Sequence, residues 1–451
     1  MKILKTFNFT AEAEKKWLFS KEKPSAGIEL ALPPMPQCCC GIRIEAEVSA
    51  DGKTVFSARI IQGEKETVTA PVIIMPGKTS VLLDPCVLTD PLLPLELKIC
   101  RNTEDPADDH QGAAEIAEVR ITALQAPESS FVVANTPGYN SWPMCQCIGE
   151  KIVCTYSRGE KHNIYEPSRA VYARVSSDGG KSWEDETLVC NTPEHGDVTI
   201  GKGLDENGSM LLWVRHGGKA GFRHSLFRSA DGKNFEHISQ VRLPADVVQI
   251  TDIFHIPGVG LTALYFGGTY QEAAVNFWGK LTSTDNGITW QDTLIEKNLP
   301  KAQWPTEPSA IYLGNGRILV IARTESRENS TQRSQFQITS QDYGKTWHKT
   351  FTNITDVNIS TPSLIYDREN DTVSCYYFYR GRGILNRRRA AVKEIFDAPL
   401  NWPPPETVAS GSCEVCEAGN VNAAVCGRDH ILAYYSGTMP DTAVYIMKIN
   451  M

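Results

Sequence analysis

The apolar positions of this chain come in short runs, broken at regular intervals by turn residues. Val171-Tyr172-Ala173-Arg174-Val175, Leu211-Leu212-Trp213 and Ile318-Leu319-Val320 are typical. Glycine and Asp, Asn or Ser residues bound these runs, and none reaches the length of a helix face, so the pattern predicts β-strands. The breaks themselves repeat. Ser-x-Asp-x-Gly-x-(Ser/Thr)-Trp occurs at Ser176–Trp183, Ser283–Trp290 and Ser340–Trp347, and a copy one residue shorter spans Ser229–Phe235. Their aspartates, Asp178, Asp231, Asp285 and Asp342, follow at intervals of 53, 54 and 57 residues. In such a motif the carboxylate accepts backbone N–H bonds across a hairpin, the glycine supplies a positive φ, and the aromatic ring packs beneath. These aspartates are expected to hold turns on the rim and to do no chemistry.

A second period runs in phase. Asp197, Asp252 and Glu307 stand 55 residues apart, and the next step falls on Pro362. Each point precedes an apolar strand, a glycine turn and another apolar strand. Similar units begin near Ser141-Trp142-Pro143 and Asn420-Val421-Asn422. Six such units, each sized for four strands, predict an all-β fold: a six-bladed β-propeller over residues 129–451. Inner strands start at the central channel, so the three acids are expected to converge on one pocket. Ser129 to Ala134 is expected to supply a strand that closes the last blade. Residues 1–128 lack the repeat and read as short strands around turns such as Asp51-Gly52-Lys53, a β-sandwich-like domain.

Composition narrows the partners. The net charge of -8 argues against a nucleic-acid partner, and no run of apolar residues is long enough to span a membrane. The segment from Met1 to Phe19 lacks the apolar core of a signal peptide, so a cytoplasmic protein, or one whose leader was removed, is expected. The 13 cysteines are odd in number, and a reduced compartment is the simplest reading. Cys413, Cys416, Cys426 and His430 could suggest zinc. The Gly427-Arg428-Asp429 turn between the last two favours a plain hairpin, and no metal or organic cofactor is expected.

The Asp boxes make residues 131 to 451 resemble the sialidase (neuraminidase) superfamily. That resemblance implies a six-bladed propeller in which three arginines bind the sugar carboxylate, a tyrosine paired with a glutamate is the nucleophile, and an aspartate is the acid/base. Glu307, in Trp304-Pro305-Thr306-Glu307-Pro308-Ser309, resembles the family glutamate; Arg323 resembles the second arginine and Arg387 the third. The chain departs from the pattern elsewhere. Ser141-Trp142-Pro143 stands where the first arginine belongs, Gly419-Asn420-Val421-Asn422 where the tyrosine belongs, and the acid/base loop offers His162, Tyr165 and Glu166 but no aspartate.

The candidate catalytic residues are therefore Glu307, Asp252, Asp197, His162 and Tyr265, the last as a replacement phenol. Arg323, Arg215, Arg387, Trp142 and Asn420 are the candidates for binding substrate, with Arg215 able to replace the missing arginine. The expected activity is exo-acting hydrolysis of a terminal acidic sugar, most plausibly sialic acid, from a glycan. The alternatives are a glycan-binding propeller without turnover, such as part of a phage or surface receptor-binding protein, and a hydrolase of another sugar.

Overall fold

The computed structural model describes residues 2–11, 17–19, 27–35, 39–68, 72–74, 76–87, 94–105, 108, 112–125, 130–244, 246–270, 273–325, 334–357, 360–379, 384–410, 420–438 and 441–450. They are almost entirely β-strand. No helix among them is long and apolar enough to cross a membrane.

The N-terminal residues form two antiparallel sheets. In one, the strand Ala114–Gln125 lies between Lys2–Thr10 and Cys39–Ala50, and Gly77–Val87 flanks the latter. In the other, Leu95–Arg101 lies between Gly27–Leu32 and Thr54–Gln62. Alternation drives the pairing: Ile42, Ile44, Ala46 and Val48 turn to one side and meet Phe56, Leu97 and Ile99 in a single apolar core.

From Tyr139 onward the described strands form meanders, each strand pairing antiparallel with the next. The first runs Tyr139–Ile148, Lys151–Gly159, Ala170–Ser176 and Thr187–Cys190; the second runs Gly196–Leu204, Met210–Gly218, Gly221–Ser229 and Glu236–Val241. A third is built on Gly260–Gly267 and Asn276–Ser283, with Gln291–Leu299 outermost. The fourth starts at Pro305–Gly314, the fifth at Ser363–Asp367 and the sixth at Val421–Cys426. Ser130–Ala134 adds to the sixth by pairing with Asp441–Asn450, in the register Ser130 to Met447 and Phe131 to Ile446. The first and last meanders thus share strands from distant parts of the chain.

The Asp boxes fold as hairpins between third and fourth strands. Asp342 Oδ1 accepts from Ser340 Oγ (2.9 Å) and the Thr346 N–H (2.9 Å), while Oδ2 accepts from Thr346 Oγ1 (2.6 Å). Asp178 and Asp285 repeat the arrangement with Ser182 and Thr289. Gly344 has φ +77°, which only glycine adopts without strain. Trp290 packs at a tilt against Trp213 and Trp347 edge-on against Trp278, one meander against its neighbour. The turns at Asp178, Asp285 and Asp342 share no residue with the cavity described next.

Candidate functional site

The first strands of all six meanders meet at one narrow cavity. Its wall takes Pro143 and Met144 from the first, Ile200 from the second, Gln249, Thr251 and Asp252 from the third, and Glu307 to Ser309 from the fourth. The fifth adds Thr361 to Ser363, and the sixth Asn420 to Asn422. At about 30 Å³ the enclosed part holds a water or two, not a sugar ring. Any larger ligand must sit at its mouth, where the first strands begin and the second strands end.

The fourth meander supplies a charge cluster there. Glu307 begins the inner strand and Arg323 ends the strand beside it, and register Thr306 to Arg323 sets them side by side. Arg323 Nη1 is 2.9 Å from Glu307 Oε1, and its Nη2 is 2.6 Å from Glu325 Oε1. The second Glu307 oxygen accepts from Thr361 Oγ1, and Glu325 accepts from Thr306 Oγ1 at 2.8 Å. Burial disfavours the Arg323 charge, but Glu307, Glu325 and then Tyr270 more than offset it and hold its pKa above the ordinary value. Tyr270 feels the same charges. Burial chiefly raises its phenol, Glu307 and Glu325 raise it further, and Arg323 and Arg215 pull it down.

Arg215 completes this side. It is buried, donates Nη1 to the Val248 carbonyl at 2.8 Å and lies 5.0 Å over the Phe222 ring. No carboxylate among the described residues forms an ion pair with it, and its Nε has no partner. Burial therefore lowers its pKa, opposed by Tyr270, Tyr165 and Glu307. A buried guanidinium with an unpartnered Nε has the chemistry to bind an anion.

Two backbone features mark the same mouth. Glu307 and Trp142 both have positive φ (46° and 49°), each just before a proline and at an irregularity in the inner-strand register. Side chains with a Cβ rarely adopt this conformation, and such strain gathers where a side chain must be aimed. Trp142 lies edge-on to the exposed ring of His162, whose Nδ1 is 2.5 Å from the Tyr139 hydroxyl. Beneath them Arg169 is fully buried and donates to Ser141 Oγ at 3.2 Å, so a guanidinium from the loop just before the strand Ala170–Ser176 occupies the space beside Ser141. Glu166 is tied into its own loop by the Glu160 N–H and Ser168 Oγ, both at 2.6 Å.

The candidates read from sequence thus divide. Glu307 and Arg323 are in contact, Arg215 lies within electrostatic reach of Glu307, and Asp252, Glu307 and Asn420 line one cavity. Asp252, however, is not paired with Glu307. It binds Lys202 Nζ (3.0 Å) and accepts from Asn422 Nδ2 (3.1 Å). Three expectations require correction. Asp197 does not join the cavity: it is wholly buried in its own meander, 2.7 Å from His216 Nδ1, and accepts the Thr192 N–H. The tight turn before its strand draws the carboxylate inward. Tyr265 is buried and donates its hydroxyl to Asp292, because its strand position faces the outer strand. Arg387 sits mid-strand on the third strand of the fifth meander and pairs with Glu406 at 2.7 Å.

Sequence reasoning missed Glu325, Tyr270 and Lys202. Glu325 lies two residues past Arg323, and Lys202 is the one basic residue in its inner strand, so both left a signal. Tyr270 sits in a loop with no pattern. Of the zinc alternative, Cys413 and Cys416 lie outside the described residues, and no cluster of metal-ligand type occurs among those described. His430 Nδ1 faces the Tyr376 hydroxyl at 2.6 Å.

Comparison with known proteins agrees with this geometry. A BNR/Asp-box repeat model matches residues 281–292. No curated protein matches the chain in sequence. Among solved structures, a protein of unknown function from Dyadobacter fermentans aligns with TM-score 0.57 at 15% identity, over 72% of this chain and 98% of that one. The NanB sialidase of Streptococcus pneumoniae aligns over 99% of both chains at 8% identity, TM-score 0.54. A Trypanosoma rangeli sialidase, solved as a covalent intermediate with 2,3-difluorosialic acid, aligns at 11% identity and TM-score 0.50, over 72% of this chain and 57% of that one. The chain has the sialidase-like fold, a β-propeller of Asp-box repeats.

Proposed function

We propose that the six meanders are six propeller blades and that the mouth of their axial cavity binds the terminal acidic sugar of a glycan, which the protein hydrolyses as an exo-acting glycosidase. Sialic acid is the sugar whose carboxylate and ring best suit the site. The observation that carries this reading is the pair Arg215 and Arg323 beside Glu307, with Arg215 buried and without a carboxylate partner among the described residues. An anionic ligand supplies that partner. In this reading Arg215 takes the role of the arginine missing at Ser141, and Tyr270 takes that of the missing phenol. Glu307 withdraws the phenol proton as it attacks, since a raised pKa keeps the hydroxyl protonated at rest. His162 at the mouth is the proton donor to the leaving group. The likeness to sialidases supports the fold of this reading, and the charge cluster supports its ligand.

The alternative is a glycan-binding propeller without turnover. It is favoured by the ties already made by both cavity acids, Asp252 to Lys202 and Glu307 to Arg323 and Thr361. Fluorogenic sialosides, beside a panel of other glycosides, separate the two. Release of fluorophore that is lost in Tyr270→Phe supports the hydrolase. Sialoside binding without turnover by any form of the protein replaces it with the binding reading.

A further inference from the structure

A second and larger cavity lies elsewhere. It is a cleft of about 600 Å³ between the outer strands of the third and fourth meanders, and it shares no residue with the axial cavity. That volume is in the range of small-ligand sites. Leu294, which is 47% exposed, and the partly exposed Trp347 give the cleft an apolar wall, and the buried Trp278 packs edge-on behind Trp347. Its charge is unbalanced. Glu296 is the one carboxylate in the lining, and its Oε2 already receives Trp278 Nε1 (2.6 Å) and Lys349 Nζ (2.7 Å).

Lys280 and Lys345 also line the cleft, and neither forms an ion pair among the described residues. Lys280 donates Nζ to the Gly344 carbonyl at 2.6 Å. Burial lowers its pKa and Lys345 lowers it further, against the pull of Asp342. Two lysines lining one cleft, each without an ion pair among the described residues, are further stabilised by a bound anion.

We propose that this cleft is a second binding site, for an anionic saccharide, independent of whatever the axial cavity binds. The partly exposed Trp347 indole stacks on the C–H face of a sugar ring, and the lysines meet its carboxylate or sulfate groups. An acidic peptide matches the charge, but the Trp347 indole beside Leu294 favours a ring.

Calorimetry of the full chain at low salt tests this with trigalacturonate and a heparin-derived tetrasaccharide, against maltotriose and hexaglutamate. At least one acidic saccharide is expected to bind, more weakly as salt is raised, and which one binds tells carboxylate from sulfate. Lys345→Glu, at an exposed position, is expected to weaken that binding by about tenfold or more. Arg323→Ala is expected to leave it intact. Failure of both acidic saccharides to bind overturns the proposal. So does equal binding of maltotriose or hexaglutamate, indifference to Lys345→Glu, or loss of binding in Arg323→Ala.

Discussion

Arg323 is held between two carboxylates and Arg215 by none among the described residues, and this asymmetry sets what each substitution does. Removing Arg323 strips the ligand contact proposed above and leaves Glu307 and Glu325 facing each other in a buried site. Arg323→Ala should therefore weaken an acidic sugar by about 2–5 kcal/mol and a neutral one far less, a difference read from kcat/KM on paired glycosides. Equal losses on both would remove the case for an acidic substrate. Glu307→Gln keeps the shape and the Thr361 contact; turnover should fall by about two orders of magnitude or more while the melting temperature hardly moves. The pair was legible in sequence through resemblance to the sialidase pattern, and the strand register sets the two side by side. Tyr270 was not, since a loop residue is placed only by what its loop packs upon.

Among the elements, the Asp-box hairpin is the most local. Its hydrogen bonds span a few residues, so its form follows from Ser340, Asp342, Gly344 and Thr346 themselves. Hydrogen bonds from Thr346 come first in lowering the Asp342 pKa, to about 2. A depressed carboxylate stabilises the fold above the unfolded pKa near 4 and loses that contribution as pH falls toward 2. Asp342→Ala should cost about 1–2 kcal/mol, seen as a lower denaturant midpoint, and leave ligand binding at the axial cavity unchanged. A change in that binding would place the box nearer the chemistry than the structure does. The inner strands are less self-sufficient. Asp197 and Asp252 share a sequence position, yet one turns to a histidine in its own meander and the other to Lys202, because neighbouring side chains decide the rotamer.

For the whole molecule, acid sensitivity and ring closure are the measurable consequences. Burial, and then Arg215 and His216, push the His224 pKa down to about 3; burial and Arg387 push His430 to about 4. Both histidines are neutral in the fold and protonate near 6.5 when unfolded. Their contribution is thus complete above about pH 6.5 and is lost progressively toward about pH 4 and pH 3. Melting temperature should decline across that window, and His430→Gln should flatten part of the decline; an unchanged slope would assign it to other groups. Ser130–Ala134 pairs with the strand Asp441–Asn450 across more than 300 positions of sequence. We propose residues 129–451 as an independently folding unit. A fragment starting at residue 129 should melt cooperatively, whereas one starting at 135 loses a strand of the sixth meander and should melt markedly lower or aggregate. Equal stability of the two would show that this strand is dispensable.

Strand content, the repeat and the Asp-box turns were determined by the sequence alone, since each depends on contacts within a few residues or on a period visible along the chain. Glu307 and Arg323 were picked out by resemblance to the sialidase pattern. Which acids reach the cavity, that Arg215 has no carboxylate partner among the described residues, and that Tyr265 and Arg387 turn outward were decided by tertiary structure. Those outcomes depend on side chains supplied by other strands and other meanders, whose positions no single stretch of sequence specifies.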